Sequence, residues 1–168
     1  MFRPRNMILL LSHARDSQKE AAGISAGAID ETSLSFSQAI WREIEEELLG
    51  RFGPPKSSVV KDILTGFKSE FRMQDLEARI RHLSKFDASV GTFFGSQQNI
   101  VELCRALYSL GAIGNVYFVE GRKQKEPRDR WSFRRFAEPT LDNEFVVHES
   151  LRKSLQISFS GIRPHRTS

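Results

Sequence analysis

Apolar residues recur at helical spacing over most of this chain and turn into strand-like runs only in its last third. From Asn6 to about Ala22, the succession Ile8, Leu9, Leu10 and Leu11 predicts a helix with apolar surface on several faces, to be covered by neighbours on more than one side. Pro4 suits its first turn. Gly23 to Ala28 (GISAGA) predicts a break, and Asp30-Glu31-Thr32-Ser33 offers caps for a second helix over roughly Ser35 to Leu49. That helix places Phe36, Ile40, Ile44 and Leu48 four apart, with Trp41 alongside, and sets Arg42, Glu43, Glu45, Glu46 and Glu47 elsewhere. It is amphipathic and acidic. Gly50 and Gly53-Pro54-Pro55 end it.

Ser57 to Phe67 carries Val59, Val60, Ile63, Leu64 and Phe67 at helical spacing and predicts a core helix, and Met73 to Phe86 repeats the pattern with Leu76, Ile80 and Leu83. Gln97 to Leu110 aligns Ile100, Leu103, Cys104, Leu107 and Leu110 on one stripe, with Gly111 where a helix terminates in the left-handed conformation. Ile113 to Val119 and Trp131 to Phe136 are β-prone, and Glu120 to Arg130, with Gly121 and Pro127, predicts the loop between them. Phe145-Val146-Val147 adds a short third strand. His148 to Leu155 predicts a closing helix, and Ser158 to Ser168 a fraying tail.

The expected fold is therefore mainly α with a small β-hairpin or sheet. Residues 1–52 form a helical subregion of two helices, residues 53–157 a winged-helix-like domain, and residues 158–168 a flexible tail. Winged helices contact nucleic acid or proteins and seldom do chemistry. Composition adds little: 168 residues, 39% apolar, suit one core of ordinary size, and a formal charge of +4 with pI near 9.5 permits a polyanionic partner without requiring one. A single cysteine, Cys104, excludes an intramolecular disulfide and makes a reducing compartment, the cytoplasm, the expectation. The apolar run Met7 to Leu11 falls short of the ~7–15 residues of a signal-peptide core, and no stretch approaches the ~20 of a membrane span.

Charge distribution is more informative than its total. Arg122, Lys123, Lys125, Arg128, Arg130, Arg134 and Arg135 oppose only Glu126 and Asp129, so the wing is the candidate site for neutralising phosphates. A solvated hairpin tip would carry the same charges. The candidate recognition helix offers Gln97, Gln98, Asn99 and Arg105 outside its apolar stripe; glutamine and asparagine can read adenine edges, but they also cap helices. Glu102 neutralises Arg105, which speaks against base reading by this helix.

Catalytic signatures are absent. Gly53-Pro54-Pro55-Lys56-Ser57 echoes a phosphate loop, yet proline stands where a glycine N–H must face phosphate, so it is expected to start a helix. His13, His82, His148 and His165 have no second ligand at metal-site spacing; His13 and His148 fit hydrogen-bonded boundary residues. Cys104 lies on an apolar stripe and should be buried and inert. Neither a metal nor a cofactor is expected.

The opening Arg3-Pro4-Arg5-Asn6-Met7-Ile8, the acidic run Trp41 to Leu49 and the closing Val147-His148-Glu149-Ser150-Leu151 together resemble the helical and winged-helix region that follows the core of a family of bacterial P-loop ATPases, related to STAND and AAA-type proteins. The resemblance implies a C-terminal region that relays, regulates or contacts DNA or a partner, the upstream ATPase domain being one such partner. Walker A and Walker B segments are missing here, so none of the family's nucleotide-binding residues carries over. By this resemblance the chain would be a fragment, a split gene product or a truncated reading frame. The expected function is a non-catalytic regulatory or interaction module that meets a partner protein or the backbone of DNA or RNA through its basic wing. The alternative is a free-standing winged-helix DNA-binding transcriptional regulator.

Overall fold

A computed structural model describes residues 4–18, 23–120, 125–130 and 138–158, with side chains for 7–18, 23–118 and 138–158. The fold is mainly helical with one small antiparallel sheet, as the patterning predicts. Helices α1 (Pro4–Ser17) and α2 (Ala26–Phe52) form an antiparallel hairpin. There follow α3 (Pro54–Leu64), β1 (Glu70–Phe71), α4 (Met73–Leu83), α5 (Ala88–Phe94), α6 (Gln97–Ser109), β2 (Ile113–Glu120), β3 (Lys125–Arg130), β4 (Phe145–Val147) and a 3-10 turn at Glu149–Leu151. The sheet order is β1-β4-β2-β3, antiparallel at every step.

Helix α2 begins well before Ser35. Ser25 Oγ accepts the Ala28 N–H at 3.1 Å and caps it. The hydroxyls expected to cap bond instead to carbonyls of their own helix, as Thr32 Oγ1 does to Ala28 O at 2.7 Å. Gly50 lies within the helix, and Gly53, at φ 78°, ends it. Pro54 then opens α3, where its missing N–H costs nothing.

Three further expectations are corrected, and two short elements stand where none is expected. β1 and α5 were not visible in the periodicity because one has two residues and the other seven, too few to display a period. The closing helix is only a 3-10 turn: the chain bends back so that Leu155 O accepts the Gly66 N–H at 2.8 Å and Ser158 N–H donates to Phe67 O at 2.9 Å. Ser158, expected in the tail, is thereby held beside Lys68. Residues Lys125–Arg130, expected as loop, are the strand β3, whose register pairs Phe118 with Pro127 and Glu120 with Lys125. Proline and charges are tolerated there because β3 is an edge strand. The expected strand Trp131 to Phe136 lies outside the described residues, as do residues 159–168 of the tail.

One hydrophobic cluster takes in Phe36, Trp41 and Leu48 of α2 together with Ile63, Leu76, Phe94, Leu103, Leu107, Ile113, Phe145 and Leu155. The rings of Phe71 and Phe145 stack at 5.5 Å and join β1 to β4. Helix α1 stands at the margin: Leu9 and Leu10 pack against the cluster, but Met7, Ile8 and Leu11 are exposed, contrary to the expectation that neighbours cover it.

At the start of α4 the Arg72 N–H donates to Asp75 Oδ2 at 2.8 Å, and Lys68 Nζ lies 2.7 Å from Asp75 Oδ1. Burial pushes this carboxyl up, but the bonds from Lys68 and the Arg72 N–H outweigh it and hold the group below its ordinary value of 3.8. The ionised form therefore stabilises the fold above pH 3.8, and that contribution disappears as pH falls through the folded-state value. Thermal melts of wild type and Asp75→Asn should differ at neutral pH and converge on acidification; a gap that persists unchanged to about pH 2 would contradict this.

Candidate functional site

Helix α6 is held at both ends by its own sequence. Ser96 Oγ accepts the Asn99 N–H at 3.2 Å at the start. At the end Gly111, at φ 73°, donates its N–H to Tyr108 O at 3.0 Å, and Ala112 donates to Leu107 O at 2.9 Å, the paired bonds of a Schellman turn. Only glycine enters that conformation without strain, so the chain turns sharply into β2.

Ile100, Leu103, Cys104, Ala106, Leu107 and Tyr108 fill the inner face of α6. Burial pushes the Cys104 thiol up to about 12, which disfavours the reactive thiolate, and its Sγ rests 3.3 Å from Met73 Sδ. The outward residues are Gln97, Gln98, Glu102, Arg105 and Ser109. Neighbouring elements engage three of them. Lys56 Nζ, 4.7 Å from the Phe52 ring centroid, sits 3.7 Å from Glu102 Oε2. Arg51 donates to Ser109 Oγ at 3.2 Å, and Arg105 Nε lies 3.1 Å from Glu138 Oε2. The candidate reading residues are thus dispersed: Arg105 is paired, Asn99 contributes its N–H to the cap, and Gln97 lines a cleft of about 200 Å³ against Glu77 and Arg81 of α4 and Ser84 just beyond it. That cleft is smaller than an ordinary ligand pocket. Gln98 is exposed.

The partners Lys56, Arg51 and Glu138 escaped sequence reasoning, because no periodicity links positions so far apart in the chain. Glu138 owes its place to Asn115. The Asn115 side chain, 1% exposed, donates to Thr140 O at 3.0 Å and accepts the Thr140 N–H at 2.8 Å, which pins the loop before β4 beside β2.

Of the wing cations, Lys125, Arg128 and Arg130 lie on β3, in register with Glu120, Tyr117 and Asn115. Arg122, Lys123, Arg134 and Arg135 lie outside the described residues. The pairing of β2 with β3 continues from Asn115 to Glu120, past Ile113–Asn115 where β2 pairs with β4, so the hairpin extends beyond the rest of the sheet. His148 Nδ1 is 2.8 Å from Ser150 Oγ and accepts the Ser150 N–H at 3.2 Å, the role of a boundary residue. The Pro54-Pro55-Lys56-Ser57 segment is the start of α3. Among the described residues no three potential metal ligands lie together, and no helix is long and apolar enough to cross a membrane.

Comparison with protein-family models, with curated proteins and with solved structures finds no match for this chain.

Asn115→Ala should cost about 1–3 kcal/mol by removing the three hydrogen bonds of a buried amide, seen as a lower urea midpoint at unchanged m-value. Alkylation of Cys104 should proceed only as fast as the protein unfolds; rapid modification of the native chain would show that the thiol is accessible.

Proposed function

We propose that this chain is a non-catalytic contact module whose basic β2–β3 hairpin meets the phosphate backbone of nucleic acid without reading its sequence. The observation that carries this reading is the hairpin itself: β2 and β3 stay paired to Glu120 and Lys125, beyond the last β4 partner, and the strand and its flanks are rich in arginine and lysine. Pro127 and the charges of β3 disfavour pairing with a further strand, so contact falls to side chains rather than to the open edge.

The order α3, β1, α4, α5, α6, β2, β4, with β1 paired to β4 and β4 to β2, supports a winged-helix arrangement for this half, with the short α5 inserted before α6 and β3 added at the outer edge. The exposed Met7, Ile8 and Leu11 share a face of α1 and support a protein contact there, for which the upstream ATPase domain of the resembled family would be one candidate. A free-standing regulator that reads bases through α6 is less well supported, since Glu102, Arg105 and Ser109 are engaged by neighbouring elements.

Two duplexes of unrelated sequence should bind with equal affinity, weakening linearly in log Kd against log salt. Replacing Arg128, Arg130, Arg134 and Arg135 by alanine should reduce the slope by about three to four and remove most of the affinity. Absent or salt-independent binding would overturn the reading, and a large preference for one duplex would favour the base-reading regulator instead.

A further inference from the structure

Arg105 is the only cation of α6, and it lies on the outward face of that helix. Its side chain is 54% exposed, and its Nε lies 3.1 Å from a carboxylate oxygen of Glu138, whose side chain is 69% exposed. A pair so open to water is weak, and a second anion can reach the guanidinium from solvent. Arginine presents its N–H groups as a planar fork that suits carboxylate and phosphate alike, so Glu138 occupies the kind of position a phosphate would take.

The carboxylate is not carried on a free loop. Two residues on, Thr140 is bound through both its N–H and its carbonyl to the buried Asn115, and the Asn143 N–H closes the turn on Thr140 O at 3.2 Å. The fold thus holds an acidic group against the one cation through which α6 could meet a polyanion. Lys56 does the converse to Glu102 on the same face, where Arg51, bound to the Ser109 hydroxyl, is a further cation contributed by α2.

Resting on the reading that the chain contacts a phosphate backbone, we propose that Glu138 is a built-in competitor for Arg105, which a nucleic-acid phosphate must displace before α6 can join the contact. Its consequence is a weakened hold on isolated backbone. Tight binding is reserved for partners that bring enough charge to the β2–β3 hairpin to offset the displaced pair.

The test is fluorescence anisotropy of the full chain with a labelled mixed-sequence duplex over a salt series, for wild type, Glu138→Gln, Arg105→Gln, the double variant and Asp142→Asn. Asp142 is an exposed carboxylate of the same loop and reports the effect of net charge alone. Glu138→Gln should bind roughly two- to fivefold more tightly than wild type, with a log–log salt slope steeper by about one. The gain should vanish in the Arg105→Gln background and be absent from Asp142→Asn. Wild-type binding with no gain in Glu138→Gln overturns the competitor and leaves the backbone reading intact. An equal gain in the Arg105→Gln background, or from Asp142→Asn, assigns the effect to net charge and also overturns it. Failure of wild type and Glu138→Gln to bind the duplex overturns both readings, and binding of polyglutamate instead would point to an acidic protein surface.

Discussion

Burial of the inner face of α6 is the constraint on which the C-terminal half depends. Six consecutive-turn residues from Ile100 to Tyr108 are buried against the surrounding helices and sheet, each large apolar side chain contributing roughly 1.5–3 kcal/mol when withdrawn from water. With that face committed, the helix has a narrow outward stripe left, and its orientation is set by packing rather than by any ligand. The Schellman turn at Gly111 transmits the orientation to β2, so the direction of the hairpin follows from how α6 is buried.

The outward stripe then acquires its character from neighbours. Glu102 and Arg105 alone would make it a mixed surface with one cation available. Lys56, brought over the Phe52 and Phe94 rings at the α2–α3 junction, and Glu138, placed by the Asn115 clamp, turn it into two opposed pairs. Exposed pairs of this kind add little to stability, but they decide which charges of α6 face solvent unopposed. Arg51 at Ser109 adds one cation to the stripe, and the larger basic cluster belongs to the hairpin, where the edge strand can carry lysine and arginine without disturbing a core.

Long amphipathic segments were legible in the sequence. The spacings of α3, α4 and α6, the extent of β2 and β4, the Gly111 terminus and the inert burial of Cys104 all follow from periodicity and backbone preference acting over a few residues. Where prediction failed, a longer-range term competed with a local one. Thr32 and Ser33 look like caps until Ser25 fills that role. His148 to Leu155 looks helical until hydrogen bonds to the Gly66–Phe67 segment bend it into turns. Charged Lys125–Arg130 has poor strand propensity, yet pairing along the whole of β2 makes it a strand.

That the chain is mainly helical, where its main amphipathic helices run, and that positive charge concentrates between Arg122 and Arg135 are all properties of neighbouring residues and can be read along the chain. What α6 presents to its surroundings depends instead on packing between distant segments. Arg51 and Ser109, Lys56 and Glu102, Arg105 and Glu138, and Asn115 and Thr140 meet because separate elements pack on one core. Those pairings are set by where the packed helices and sheet bring distant backbone together, a quantity that no local periodicity encodes.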